Sequence, residues 1–251
     1  MKGLMKIIMF NARETKNRIV QWIADYFKNN AFPETKAVVG ISGGKDSSVV
    51  AALCAEALGK ERVFGVLMPQ GKQHDIDVSY DLCKTLGIEY IEINIEKPVQ
   101  NLYDEILAGD LKLSDTATFN TPARIRMTAL YAVSAIIEGR VANTSNLSED
   151  WVGYATKFGD SAGDFSPLSD LTVTEVKAVG CETGLPERFI GKVPLDGLCG
   201  KTDEENFGFT YEVLDKYIRE GVCGDKAVKQ KIDRLHAVSR HKFTPLPIFR
   251  L

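Results

Sequence analysis

The densest concentration of chemistry in the chain is Gly40-Ile41-Ser42-Gly43-Gly44-Lys45-Asp46-Ser47-Ser48. Two adjacent glycines let a backbone approach an anion with no Cβ in the way. The serines at 42, 47 and 48 add hydroxyl donors. If a helix begins at this point, its first N–H groups and its dipole converge on the same spot, which suits a pyrophosphate. The pattern is not a Walker A loop, which requires Gly-Lys followed at once by Ser or Thr. Here Lys45 is followed by Asp46. A carboxylate beside phosphates is repulsive unless a cation lies between them, so Asp46 reads as a Mg²⁺ ligand bridging to phosphate oxygens. The other reading of Asp46 is a helix-capping residue.

The elements that must position this turn can be read on either side of it. Ala37 to Ile41 is a short β-branched apolar run, the pattern of a buried strand. Ser47 to Leu58 is apolar and alanine-rich, a helix that Gly59 stops. Upstream, Ile19, Trp22, Ile23, Tyr26 and Phe27 recur at helical spacing within 18–28. Downstream, strands are expected over 63–68, 89–95 and 140–143, and helices over 75–86, 99–108 and 122–137, with Pro122 in the first turn of the last. Beyond Glu149, the stretches 158–170 and 191–203 read as glycine-bearing loops, and helices are expected over 203–220 and 226–239. Strands alternating with helices predict an α/β fold: a doubly wound parallel sheet with helices on both faces, the whole of 1–251 forming a single domain.

Bulk properties narrow the partners. The chain has 31 Lys and Arg against 34 Asp and Glu, a formal net charge of −3. Nothing global draws such a chain to nucleic acid or to an anionic membrane, so an anionic ligand must be held by local groups. No apolar run reaches the roughly 20 residues of a membrane span. The N-terminal ten residues lack the apolar stretch and cleavage site of a signal peptide. The five cysteines, at 54, 83, 181, 199 and 223, include no C-x-x-C pair. This argues against a disulfide framework or structural zinc and for a reduced, cytoplasmic setting. Cys54 and Cys83 fall in helical apolar patterns and read as core. Trp22, Tyr26 and Phe27 read either as core or as an interface.

Ser-Gly-Gly-x-Asp-Ser resembles the pyrophosphate loop of the ATP pyrophosphatases, adenine-nucleotide α-hydrolase-like proteins that cleave ATP between the α- and β-phosphates. Further stretches resemble the NAD synthetase family within that superfamily. These are Leu67 to Gly71 with Gln73, Asp75 and Asp77; Asn120 to Met127; Asn143 to Glu149 followed by Gly153 to Asp160; Thr202 to Glu204; and His241-Lys242. The resemblance implies adenylation of the pyridine carboxylate of deamido-NAD by ATP, attack by ammonia, and release of NAD, AMP and pyrophosphate. It implies that Gly40, Ile41, Ser42, Gly43, Gly44, Lys45, Asp46, Ser47 and Thr144 bind ATP. It gives Asp46 and Glu149 to Mg²⁺, and Arg124, Lys157, Asp164, His241 and Lys242 to deamido-NAD. A homodimer with the dinucleotide near the subunit interface is also implied.

Two positions depart from the family's pattern. After Asp170-Leu171-Thr172 the family commonly carries a lysine assigned to ATP, where this chain has Val173; a hydroxyl residue of a later loop aligns with Leu195. Lys192 and Lys201 are candidates to compensate. Taken one at a time, the site residues each have a duller reading: Glu149 as a first-turn helix acid, Arg124 and Lys157 as surface cations, Asp164 as a turn residue, and His241-Lys242 as tail charge. Two further functions fit the phosphate turn: another ligase of the superfamily, such as a tRNA-modifying one, or an adenine-nucleotide-binding module without turnover. The sequence has no room for an appended glutaminase domain, so ammonia is expected from solution or from a partner.

Overall fold

The computed structural model describes residues 10–191 and 202–250. Lys192, Leu195, Cys199 and Lys201 therefore lie outside the described residues. Helix α1, Ala12–Asn30, opens on Asn11, whose side chain accepts the Glu14 N–H. Strand β1, Ala37–Gly40, runs through the phosphate turn into α2, Lys45–Leu58. Then follow β2, Val63–Leu67; α3, Ile76–Leu86; β3, Glu89–Glu92; α4, Glu96–Ala108; α5, Asp115–Ile136; and β4, Arg140–Ala142. The remaining elements are helical: α6, Leu147–Val152; α7, Val173–Cys181; α8, Glu187–Ile190; α9, Asp203–Phe207; α10, Tyr211–Glu220; and α11, Lys226–Ser239. None of the described helices is long and apolar enough to cross a membrane.

The four strands are parallel and lie in the order β3-β2-β1-β4. Successive side chains of a strand point to opposite faces, and both faces here are covered. Ala37, Val39, Val63, Leu67 and Ala142 pack with α1, α2, α3 and α7. Val38, Val66 and Val141 pack against Met127, Leu130 and Val133 of α5. The doubly wound parallel sheet expected from the sequence is thus present. Cys54 and Cys83 are buried in the first of these cores, as expected.

The chain leaves β1, moves outward through β2 and β3, and then returns to the other side of β1 as β4. The loops after β1 and β4 therefore diverge at the carboxyl edge of the sheet and open a crevice there. That is the place where open α/β sheets bind ligands.

Two expectations need correction. Pro122 lies well inside α5 and not in its first turn, because the helix begins at Asp115 under a Ser114 cap. A proline inside a helix deprives the carbonyl four residues earlier of its donor. Here that carbonyl, on Thr118, accepts from the Tyr103 hydroxyl at 3.4 Å, and Ala117 shares the same hydroxyl at 3.3 Å. The long helix expected over 203–220 is two helices, broken where Gly208 adopts φ +73°. Outside the two expected loops the structure adds α6, with Glu149 in its first turn, and α7, opened by a Thr172–Glu175 capping box.

Candidate active site at the sheet's carboxyl edge

The phosphate turn is held by its own serines. Ser47 and Ser48 hydroxyls both donate to the Gly44 carbonyl, at 3.1 and 2.8 Å, and the Gly44 N–H donates to Ser42 Oγ at 3.2 Å. Gly43 takes φ +76°, and a Cβ there would sit 3.1 Å from the buried Ser79 Oγ. Glycine is therefore required at position 43 by conformation and by space. Gly40 and Ile41 belong to the sheet: the Ile41 N–H donates to the Val66 carbonyl at 2.9 Å, so this amide is not available to a ligand. The amides of Lys45, Asp46 and Ser47 open α2 and have no acceptor within the helix.

Asp46 does not cap its helix. Gly44 is the N-cap residue, and the Asp46 carboxylate points across the crevice. One oxygen accepts from Lys45 Nζ at 2.7 Å and the other from Asn146 Nδ2 at 3.2 Å. Asn146 also accepts the Glu149 N–H on its side-chain oxygen, so one residue both caps α6 and steers Asp46. Through this arrangement Glu149 comes to 3.8 Å from Lys45 Nζ. The Lys45 side chain is almost fully buried, and its ammonium lies between the two carboxylates. Burial opposes that charge, but Asp46, Glu149 and Asp203 outweigh it and hold the ammonium above the usual lysine pKa. Burial, then repulsion from Asp46, push the Glu149 carboxyl up to about 8, against the pull of Lys45.

Reading along the sequence assigned no site role to two members of this cluster, one of them inside the Thr202 to Glu204 stretch already singled out. Asp203, at the start of α9, is buried and accepts from the Tyr211 hydroxyl at 2.9 Å. The Tyr211 ring lies 5.9 Å from Lys45 Nζ. Burial, and the carboxylates of Glu149 and Asp203, raise the Tyr211 phenol far above its usual range. The signal that could have found Asp203 is the Thr202-to-Glu205 capping box, which marks the helix start and fixes the direction of the acid beside it. Asn146 was legible in the same way, as a cap three residues before Glu149.

Thr144 is half-buried in the loop that leaves β4, on the same edge as the phosphate turn. The loop is shaped by the buried Asn143. Its amide donates to the carbonyls of Asp160 and Ala162, and its oxygen accepts from Ser145 N–H and Ser166 Oγ.

Four of the five residues expected at the second substrate gather in one place. Arg124 Nε on α5 donates to the Lys157 carbonyl at 3.2 Å, and Lys157 Nζ donates to the His241 carbonyl at 2.6 Å. Lys242 Nζ donates to the carbonyls of Gly153 and Ala155, at 2.8 and 2.9 Å. These cations hold neutral carbonyls instead of carboxylates, so their charge stays available to an anionic ligand. Asp164 stands apart from them. Its carboxylate accepts the Val141 N–H at 2.7 Å and the Tyr131 hydroxyl at 3.2 Å, and its carbonyl accepts from the Tyr26 hydroxyl. It sits at the β4 edge of the sheet, where Ala142 also bridges to Phe165.

A cation held between two carboxylates is a test of whether a divalent metal would fit. Both Asp46 and Glu149 offer oxygens to one point beside the turn. Among the described residues no cluster of three or more metal-binding side chains occurs. Two carboxylates with the remaining positions left to substrate oxygens is the donor set that suits Mg²⁺ and not a dedicated protein cage.

Comparison with known proteins gives a consistent result. A family model for NAD synthase matches residues 15–246. The NH(3)-dependent NAD(+) synthetase of Archaeoglobus fulgidus is 36% identical over 243 residues, which cover 93% of this chain and 97% of that protein. Among solved structures, NMN synthetase from Francisella tularensis superposes with a TM-score of 0.88 at 30% identity, covering 96% of this chain and all of that one. The NH3-dependent NAD synthetase from Campylobacter jejuni superposes with a TM-score of 0.77 at 28% identity, again over 96% of this chain and all of the other.

Proposed function

The chain belongs to the NAD synthase family, and from that premise we propose that it catalyses the ATP-dependent amidation of deamido-NAD with ammonia. A carboxylate resists attack by ammonia because oxide is a poor leaving group. In the proposed reaction a carboxylate oxygen of the pyridine ring attacks the α-phosphorus of ATP, and pyrophosphate departs. Ammonia then attacks the acyl carbon, and AMP leaves with that oxygen.

What carries this reading is the convergence of Asp46 and Glu149 on one cation beside the first-turn amides of α2. In the proposal the amides of Lys45, Asp46 and Ser47 bind phosphate oxygens, with Gly43 and Gly44 admitting them closely. Ser42 and Ser47 brace the turn, Gly40 and Ile41 anchor it to the sheet, and Thr144 borders the nucleotide from the β4 side. Asp46 and Glu149 would hold Mg²⁺, which supplies charge neutralisation of the phosphate chain when bound. Arg124, Lys157, His241 and Lys242 would hold the anionic dinucleotide by local charge. Asp164 would meet it at the β4 edge, beside Tyr26 and Tyr131. We further propose that the enzyme is a cytoplasmic homodimer joined along that edge.

Incubating the chain with ATP, Mg²⁺, ammonium and deamido-NAD should yield NAD, AMP and pyrophosphate in equal amounts. ADP as the nucleotide product would refute adenylation. Asp46→Ala and Glu149→Ala should each lower turnover by at least about a hundredfold, as loss of one preorganised electrostatic group does elsewhere. The structural similarity to an NMN synthetase supports one competing acceptor, the mononucleotide that carries the same pyridine carboxylate without the AMP half. Substituting it for deamido-NAD in the same assay decides between the two through the ratio of kcat/KM values.

A further inference from the structure

Between α2, α7 and α9 lies a cavity of about 130 Å³ lined by Lys45, Val173, Lys177, Asp203, Glu204 and Tyr211 among others. Its charge balance is unfavourable to a nucleotide. Lys45 is already shared by Asp46, Glu149 and Asp203. Glu204 adds a fourth carboxylate, with one oxygen held by the Tyr211 N–H at 2.8 Å. A polyphosphate beside this cluster therefore gains little from Lys45, and with Mg²⁺ assigned to Asp46 and Glu149 a second cation lining the cavity would still add attraction.

Val173 does not provide one. It is buried with Phe207, Phe209, Tyr211 and Leu214 and forms part of the apolar cavity wall. Lys177 lies four residues later on α7, one turn along the same face, and it lines the same cavity. Lys177 forms no ion pair with any of the described residues. Its ammonium sits on a flexible four-carbon stem that can reach into the cavity mouth.

We propose that Lys177 is an ATP-binding residue, supplying to the phosphate chain the cation that position 173 lacks in this protein. This inference rests on the assignment of the phosphate turn to ATP. It places that charge on α7, one turn beyond the apolar Val173. It also makes the first-turn amides of α2 and the Lys177 ammonium grip the phosphates from two sides.

Calorimetric titration with ATP and Mg²⁺ tests the inference without any need for turnover. Lys177→Ala should weaken ATP binding by about tenfold or more, and Lys177→Arg should restore most of it. The double variant Val173→Lys with Lys177→Ala should also recover affinity, because it returns the cation to the same cavity. In steady state, Lys177→Ala should raise KM for ATP with a smaller change in KM for deamido-NAD. Because the side chain is exposed, the thermal midpoint should stay near that of the parent chain. ATP affinity in Lys177→Ala within twofold of the parent would overturn the inference. Failure of the parent chain to form AMP would count against the proposed reaction, and the titration would still decide the role of Lys177.

Discussion

At the scale of single residues, the site depends on how buried charges are paired. An ammonium with the burial of Lys45 would be expensive alone, and three acids around it make the charge tolerable. Asn146 is the hinge of this arrangement because it binds Asp46 and caps the helix that carries Glu149. Asn146→Ala should therefore raise KM for the ATP–Mg²⁺ pair by roughly 10- to 100-fold if Asp46 holds the metal as proposed, the usual cost of losing an orienting partner of a metal ligand. A parent-like KM would show that Asp46 is held without it. The cysteines give a separate test. Burial pushes the Cys54 thiol up to about 12 and the Cys83 thiol to about 11, while Cys181 is exposed. A folded-state pKa raised in this way contributes stability that is complete below the unfolded thiol's pKa and is lost as pH climbs through the folded one. Stability should thus decline from about pH 9 upward through 11 to 12, measured by denaturant melts. At neutral pH, mass mapping after brief alkylation should find label on Cys181 and none on Cys54 or Cys83.

At the scale of elements, the best-read parts of the chain were those whose local signals agree. The run Ala37 to Ile41, the glycine pair and the alanine-rich stretch after it each specify one outcome, and β1, the turn and α2 follow. The first two turns of α5 were illegible because Asp115 to Thr121 is polar and threonine-bearing, with no apolar period. That segment is helical because Ser114 caps it and Tyr103 satisfies the carbonyl that Pro122 strands. Helix α7 was also not read from the sequence. Its start is fixed by Asp215, which accepts the Thr174 N–H, by Ser148, which accepts the Val173 N–H, and by the capping box. Those partners lie far away in the chain. The same distance explains why Asp46 and Glu149 could be picked from local motifs, while the partnership of Lys45 with Asp203 and Tyr211 could not. One junction deserves its own test. Gly153 ends α6 at φ +72°, and a Cβ there would lie 2.1 Å from the Cβ of Ser239 on α11. Gly153→Ala should cost about 1–3 kcal/mol or more, from the left-handed backbone and the clash together. An unchanged melting curve would mean that α6 and α11 can separate freely.

At the scale of the whole molecule, the two halves of the site come from opposite ends of the chain. The phosphate turn follows β1, whereas Lys242 reaches back from beyond α11 to hold the loop after α6. The β4 edge presents a different surface. Trp22 and Tyr131 are exposed there, Trp22 stacks on Tyr26, and both tyrosine hydroxyls converge on Asp164. If two copies join along this edge, Trp22→Glu combined with Tyr131→Glu should convert a dimer to a monomer in sedimentation experiments. The loss of dimer should be accompanied by a higher KM for deamido-NAD, because Asp164, proposed to meet the dinucleotide, lies in the same patch. A parent-like sedimentation coefficient would move the interface elsewhere.

The most direct measurement follows a carboxylate oxygen. Deamido-NAD labelled with ¹⁸O in its pyridine carboxylate is turned over with ATP, Mg²⁺ and ammonium, and the products are weighed by mass spectrometry. The account predicts one ¹⁸O in the phosphoryl group of AMP, the other retained in the amide of NAD, and none in pyrophosphate. Unlabelled AMP, or label in inorganic phosphate beside ADP, would contradict it.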